Sequence, residues 1–168
     1  MNIIIPLEVL HRDFPGRLKI VKALLLTNGE EKFRIFFGDQ VTCWMILPFM
    51  RGETVYLDKS VSPNKLNFFR AGKKAGISFF SIDEEGLSSM LNPELYRATR
   101  ASVESIASTE GVFANCRAEY NILKDVNGSS PIYLTGNPKW LSGQGKFRIK
   151  SRILVASSTG FLHQSGRD

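Results

Sequence analysis

The sequence predicts an α/β domain built on an open parallel sheet of about six strands, with helices on both faces. Two observations carry this prediction. Short apolar runs alternate with longer segments in which apolar residues recur at helical spacing, from residue 2 to about residue 135. The chain has 168 residues, of which 43% are hydrophobic, enough to bury one core. The expected architecture therefore has three layers and is Rossmann-like.

Each predicted strand is a short apolar run bounded by turn-forming residues. The first of them is uninterrupted, which is typical of a strand buried on both faces of a parallel sheet. The spacing between runs leaves room for the crossover helices that parallel pairing requires. The predicted strands span residues 2–6, 32–37, 54–57, 77–82, 111–114 and 132–134.

Helices are predicted between these strands from apolar spacing and from residues that cap helix ends. In residues 16–27 the apolar positions fall on one face, which is expected to pack on the sheet. These positions are Leu18, Val21, Leu24 and Leu25. The remaining helices are predicted over residues 40–50 (with Pro48 ending or kinking it), 63–74, from 93 onward, and 117–125. Their expected N-caps are Asp39, Ser62 and Asn92.

Composition and charge disfavour several classes of protein. The longest uncharged apolar run, residues 41–50, is shorter than the roughly 20 residues of a membrane-spanning helix, and no signal peptide is expected. Cys43 and Cys116 have no CxxC spacing or nearby histidine, which fits a reducing cytoplasm and no zinc site. The net charge of +6 permits a phosphate-rich partner, but the scattered basic residues argue against specific nucleic-acid binding.

The loop after the first strand is the first place to seek a site, because ligands of open parallel sheets bind at the carboxyl ends of the strands. It contains Glu8, His11, Arg12 and Arg17. Glu8 or His11 can act as a general base on a sugar hydroxyl, and Arg12 or Arg17 can hold a phosphate. The alternative is an exposed loop with a local ion pair between Glu8 and Arg12, which would add little stability.

An acidic turn follows the fourth strand. Asp83, Glu84 and Glu85 can accept hydrogen bonds from sugar hydroxyls, or one of them can serve as a base, and Gly86 permits a tight turn. The alternative is a solvated turn. Further spaced carboxylates are lacking, so no metal is expected. Patterns typical of P-loops, dinucleotide sites, serine hydrolases and zinc proteases are also absent from the sequence.

The segment after the third strand is a candidate anion site. Lys59 supplies charge, and the helix predicted to begin near Ser62 and Asn64 would offer free backbone N–H groups. The alternative is simple capping of that helix by Ser62.

The segment after the sixth strand is expected to end the domain. Gly136 permits close backbone approach, and Asn137 with Pro138 fixes a stiff turn, so these three residues are predicted to be interdomain. One domain is therefore predicted over residues 1–140 and a polar linker over 141–151. Residues 152–168 are predicted to be the truncated start of a second domain, or a strand added to the main sheet.

Four elements, taken in this order, resemble bacterial surface carbohydrate biosynthesis proteins with a GT-B glycosyltransferase-like fold. They are the opening NIIIPLE with Arg12, YLDKS followed by SPNK, the DEEG turn, and TGNPK. The last element is also similar to the interdomain segment of UDP-N-acetylglucosamine 2-epimerases and of teichoic acid glycerophosphotransferases. The resemblance covers residues 1–140. The sequence departs from it at Lys139-Trp140, where an Arg-Phe-Asp-like continuation is expected.

The resemblance implies that residues 1–140 are the amino-terminal, acceptor-side half of a glycosyltransferase. It implies a nucleotide-activated sugar as donor substrate, no cofactor, a glycan or lipid-linked acceptor, and a second half that binds the donor. Glu8 is the first candidate for the base and Asp83 the second. A cytoplasmic protein in peripheral contact with the anionic inner membrane face is expected. The alternative function is a non-catalytic Rossmann-like module that binds a phosphorylated ligand or a protein partner.

Overall fold

A six-stranded, all-parallel sheet forms the centre of the computed structural model, which describes residues 1–27, 33–84, 92–126 and 129–139. The strand order is β2-β1-β3-β4-β5-β6. Asn2 lies opposite both Arg34 and Thr54, so the first three strands start at one level. The strands are β1 (Asn2–Pro6), β2 (Arg34–Gly38), β3 (Thr54–Asp58), β4 (Ile77–Ile82), β5 (Gly111–Ala114) and β6 (Ile132–Leu134). The predicted fold class is confirmed.

Helices connect successive strands, as parallel pairing requires. They are α1 (Leu10–Thr27), α2 (Gln40–Ile46), α3 (Leu66–Lys74), α4 (Pro93–Thr99), α5 (Val103–Ala107) and α6 (Arg117–Val126). Single turns of 3₁₀ helix over Leu47–Phe49 and Pro63–Lys65 follow α2 and precede α3. None of the described helices is both long enough and apolar enough to cross a membrane.

The two faces of the sheet carry different helices. Val21 of α1 packs with Ile3, Ile5 and Ile82 on one face. The other face buries Ile4 and Phe79 with side chains from all the other described helices: Cys43, Phe69, Tyr96, Ile106 and Leu123. Alternation along β1 explains this division, because successive side chains of a strand point to opposite faces. Helices thus cover both faces, with α1 alone among the described helices on its side.

The largest error in the sequence prediction concerns α1. It begins at Leu10, six residues before the predicted start at Gly16, although Pro15 lies inside it. The buried carboxylate of Asp13 accepts the backbone N–H groups of Glu8 and Val9, both at 3.1 Å, and so satisfies donors that a helix start leaves free. His11, Arg12 and Arg17 are therefore helical residues and not loop residues.

The predicted face of α1 is also partly wrong. Val21 is buried, but Leu18 and Leu25 are 47% and 52% exposed. The inward face instead includes Asp13, Gly16 and Arg17. A polar stretch near the carboxyl edge of the sheet is thus packed inside, while two leucines face outward.

All three predicted N-cap residues stand at the start of a helix, but only two of them cap it with their side chains. Asp39 accepts the Thr42 N–H at 2.9 Å, and Asn92 accepts the Leu95 N–H at 3.0 Å. Ser62 is the N-cap residue of the 3₁₀ turn, with Pro63 first in the turn as predicted, but its side chain makes no capping hydrogen bond. The short helix α5 was not predicted. The expected linker and second-domain start lie outside the described residues.

Candidate functional site

The candidate site lies where the carboxyl ends of β1 and β3 meet. After β1 the chain crosses to β2 on one side, and after β3 it crosses to β4 on the other side. The two connections therefore run in opposite directions from this point. Ligands of open α/β sheets bind at such switch points. A small, shallow surface opening here, with no enclosed space for a water molecule, is lined by Pro6, Glu8, Gln40, Asp58, Lys59 and Lys65.

Glu8 follows β1 and presents its carboxylate to this opening, with 49% of the side chain exposed. Its Oε2 lies 2.7 Å from Nζ of Lys59 and 3.6 Å from a guanidinium nitrogen of Arg12. The hydrogen bond from Lys59 lowers the pKa of Glu8, and the charge of Arg12 acts in the same direction. Glu8 is therefore held ionised and oriented while it stays accessible.

Lys59 connects Glu8 to a buried carboxylate behind it. Lys59 is 8% exposed, and its Nζ lies 3.3 Å from Oδ2 of Asp13. Asp13 also accepts Nε of Arg12 at 2.9 Å and Nζ of Lys139 at 3.1 Å. Burial alone would raise the pKa of Asp13, but these hydrogen bonds and that from the Val9 N–H hold it well below its usual range. Asp13 is thus an ionised centre that fixes Lys59 under Glu8.

Arg17 and Glu84 form a second buried pair beside Asp13, and neither side chain is exposed. Nε of Arg17 lies 3.1 Å from Oε1 of Glu84, and Nζ of Lys139 lies 2.8 Å from Oε2. Burial lowers the pKa of Arg17, against the opposing effect of Glu84. Burial also acts to lower the pKa of Lys139, but its hydrogen bonds to Glu84 and Asp13 raise it overall. The contacts of Glu84 with Arg17 and with Lys139 therefore keep the buried charges of this region paired.

The segment predicted to be interdomain is tied to this network. Gly136 has φ +83°, which permits the turn after β6. Asn137 is buried, donates to the Glu84 carbonyl at 3.4 Å and accepts the Lys139 N–H at 2.9 Å. Nζ of Lys19 donates to the Pro138 carbonyl at 3.0 Å. Hydrogen bonds therefore fix this segment to α1 and to the turn that follows β4.

Asp83 lies deeper than Glu8. Its two carboxylate oxygens accept Nε and a terminal nitrogen of Arg100 at 2.9 and 2.6 Å, and its side chain is 7% exposed. The Asn115 amide, at the end of β5, donates to the Asp83 carbonyl. This two-point pairing anchors the end of β4 to the residue that follows α4.

Glu119 is a buried acid that the sequence prediction missed. Its oxygens accept the Tyr96 hydroxyl and the Asn115 N–H, both at 2.6 Å. Burial raises the pKa of Glu119 to about 7, which the two hydrogen bonds partly oppose. It sits in the first turn of α6, where a carboxylate facing backward can accept a free N–H group. That position in the first turn of a helix is the one feature of the sequence that could have identified Glu119 as a buried acceptor.

The remaining candidates are spread around the opening. His11 and Asn64 are exposed, and Ser62 is half-buried with its carbonyl accepting the Ser105 hydroxyl at 3.2 Å. Asp58 accepts the Ser60 N–H at 3.2 Å and pairs with Lys65. Glu85 and Gly86 lie outside the described residues.

The structure thus brings Glu8, Arg12, Arg17, Lys59 and Glu84 into one charged network. Sequence reasoning had given no role to Asp13 and Lys139, which hold the network together, or to Arg100, which pairs with Asp83. Within the described ranges no group of three acidic, cysteine or histidine side chains could hold a metal ion.

Comparison of the chain with protein-family models, with curated proteins and with solved structures gave no match. The proposed function therefore depends on the geometry of the site and on the sequence resemblance.

Proposed function

We propose that this chain is the acceptor-side half of a GT-B-like glycosyltransferase of bacterial surface polysaccharide synthesis, acting in the cytoplasm. The observation that carries the proposal is the state of Glu8. Its carboxylate is accessible at the switch point of the sheet, and Lys59 and Arg12 keep it ionised. An accessible, oriented carboxylate is what a hydroxyl-bearing acceptor requires.

In the proposed reaction Glu8 orients one acceptor hydroxyl and takes its proton. As the proton moves, the hydroxyl oxygen bonds to the anomeric carbon of the donor sugar, and the bond from that carbon to the nucleoside diphosphate breaks. The lowered pKa of Glu8 makes it a weak base, so proton transfer accompanies attack and does not precede it. The donor would be held by a second, donor-binding half, as the resemblance implies, with no cofactor.

Asp83 has a different role from Glu8 in the proposed reaction. Both of its oxygens are engaged by Arg100, so it is poorly placed to take a proton from a substrate. Its two-point pairing fixes the turn after β4 beside the site. We therefore assign the base to Glu8 and a positioning role to Asp83.

A titration followed by NMR tests the acceptor role. The ¹⁵N-labelled chain is titrated with a panel of oligosaccharides from bacterial surface polysaccharides and, separately, with UDP-N-acetylglucosamine as a donor probe. We expect an oligosaccharide to shift the amide signals of Glu8, Gln40 and Lys59, and the nucleotide sugar to leave them unchanged.

Two results would contradict the proposal. One is that no oligosaccharide moves these signals, or that the shifts lie elsewhere. The other is that the nucleotide sugar binds at Glu8, which would make this half the donor side. Shifts produced only by inorganic phosphate would favour the module that binds a phosphorylated ligand.

A further inference from the structure

A largely apolar groove of about 340 Å³ runs along α1, on the side of the sheet where α1 is the one described helix. The sheet contributes Leu57, Ile82 and Phe113 to its lining. Residues of α1 between Lys19 and Thr27 line it as well, and so do Thr135, Gly136 and Pro138, which follow β6. We name this space the α1 groove. Its apolar lining favours an apolar occupant.

The sheet next to the α1 groove presents a row of aromatic rings. Phe80, Phe113 and Tyr133 lie side by side across β4, β5 and β6, with ring centroids 5.9 and 5.6 Å apart. Tyr133, at the end of the row, is 45% exposed. Because Phe113 belongs to both the row and the groove, the two form one apolar surface.

The path of the chain after β6 indicates what fills the α1 groove. The chain turns at Gly136, and the carbonyl of Pro138 then accepts Nζ of Lys19 at 3.0 Å. Nζ of Lys139 lies 3.1 Å from Oδ1 of Asp13, on the same helix. The chain has thus returned to α1 by Lys139, so the residues that follow start beside the groove.

The handedness of the connections gives the same result. The connection through α1 runs from β1 to β2, in one direction along the sheet, whereas the later helices carry the chain in the other direction on the opposite face. Right-handed connections that run in opposite directions lie on opposite faces. A segment that returns from β6, at the edge of the sheet, runs in the direction of the first connection. It is therefore expected on the α1 side.

The sequence after Lys139 has the composition that such an occupant needs. Trp140 and Leu141 come first, and apolar and basic side chains then alternate. The apolar ones are Phe147, Ile149, Ile153 and Val155, and the basic ones are Lys146, Arg148, Lys150 and Arg152. From Lys19 to Thr27 α1 extends about 12 Å, which about eight helical or four extended residues span. Residues 140–155 are therefore long enough to follow the groove.

We infer that residues 140–155 fill the α1 groove and complete the layer on the α1 side of the sheet. The occupant is the continuation of this chain, and not a small apolar ligand or a second protein. Residues 141–151, which the sequence pattern predicts to be a linker, then belong to the domain. This inference does not depend on glycosyl transfer.

Paramagnetic broadening in the full chain tests the inference. A nitroxide is attached at Ser151→Cys, and Cys116→Ser removes the more accessible native thiol. Cys43 is retained, because it is 1% exposed and burial raises the pKa of its thiol to about 11, which keeps it from reacting with the label.

The label should broaden the amide signals of residues that line the α1 groove. We expect this for Ala23, Thr27 and Phe113, and no broadening for Phe69 and Ile122, which are buried on the other face. Reduction of the nitroxide with ascorbate should restore the broadened signals. Circular dichroism and the urea midpoint confirm that the labelled chain is folded.

A pair of matched variants locates the contact. Ala23→Glu introduces a charge into the α1 groove, so it should abolish the broadening and lower the urea midpoint. Leu26→Glu introduces the same charge on the same helix, at a side chain that is 75% exposed and does not line the groove. It should leave both measurements unchanged.

The inference is overturned if the label spares the groove amides, or if Ala23→Glu keeps the broadening. It is also overturned if an unlabelled ¹⁵N chain, mixed with a spin-labelled chain at natural isotope abundance, shows the same broadening, since the occupant then belongs to a second copy. None of these measurements contains an oligosaccharide, so this inference and the proposed function fail separately.

Discussion

Two acidic regions lie at the same edge of the sheet and differ in what surrounds them. Glu8, after β1, is half-exposed and is kept ionised by Lys59 and Arg12. Glu119, beside the ends of β4 and β5, is buried against Tyr96, and its pKa is raised to about 7. Asp83 lies in the second region, where Arg100 engages both its oxygens. The acidic groups near β5 are thus enclosed, while Glu8 remains open to solvent.

This difference distinguishes a carboxylate that a ligand can reach from carboxylates that stabilise the fold. Burial raises the pKa of an acid and removes it from solvent, whereas a nearby ammonium lowers the pKa and leaves access intact. Acidic residues that follow parallel strands are therefore not equivalent candidates. The surroundings of each carboxylate decide between a functional and a structural role.

The largest expected effect is on stability, from Asp13→Ala. This change leaves Lys59, Lys139 and Arg12 without a shared carboxylate and frees the N–H groups of Glu8 and Val9. We expect a loss of about 3–5 kcal/mol in the free energy of unfolding, measured by urea denaturation. Glu53→Gln, at an exposed acid, is the control and should change stability by less than about 0.5 kcal/mol. Equal stability of the two variants would show that the network around Asp13 is not structural.

The next effect is a pH dependence that comes from Glu119. Its pKa is about 7 in the folded chain, above the ordinary value of 4.5. The folded state therefore binds the proton more tightly, and this stabilisation is lost as pH rises from about 4.5 to about 7. Glu119→Gln removes the effect. The difference in unfolding free energy between the native chain and the variant should fall by about 2–3 kcal/mol from pH 5 to pH 8; a constant difference would contradict the raised pKa.

A smaller effect concerns the pKa of Glu8. Lys59→Gln removes its hydrogen bond partner, so the pKa of Glu8 should rise toward its ordinary value. The ¹³C shift of the Glu8 carboxylate, followed with pH, measures this directly. Arg12→Gln should give a smaller rise, because that guanidinium is 3.6 Å away and acts through charge. If Arg12→Gln has the greater effect, Lys59 is not the main partner of Glu8.

The smallest effect on stability is expected from Glu8→Gln. Its ion pairs are partly exposed, and such pairs contribute little, so the loss should be under about 1 kcal/mol. Urea denaturation under the conditions used for Asp13→Ala gives the comparison. A loss as large as that of Asp13→Ala would place Glu8 among the structural groups.

The sequence predicted the elements that depend on local signals. The six strands follow from short apolar runs, and Asp39 and Asn92 cap helices as their positions indicate. The early start of α1 was missed because it depends on where the Asp13 side chain points. No local pattern shows that this carboxylate turns back to the Glu8 and Val9 N–H groups.

The sequence predicted where the candidate residues lie more closely than how they pair. Glu8, Arg12 and Lys59 do meet at the carboxyl edge, as the rule for parallel sheets indicates. The pairing of Lys139 with Asp13 joins residues far apart in the chain, and the burial of Arg17 with Glu84 depends on packing. Such contacts are set by the folded topology, so spacing in the sequence does not reveal them.

The central claim is that the accessible carboxylate of Glu8, and not the buried Glu119, binds the acceptor. The most direct measurement is the Kd of one oligosaccharide that binds the native chain, compared for Glu8→Gln and Glu119→Gln at neutral pH. We predict that Glu8→Gln weakens binding about tenfold or more, as expected for losing a charged hydrogen bond partner, and that Glu119→Gln leaves the Kd unchanged. Unchanged binding by Glu8→Gln, or a loss confined to Glu119→Gln, would contradict the account.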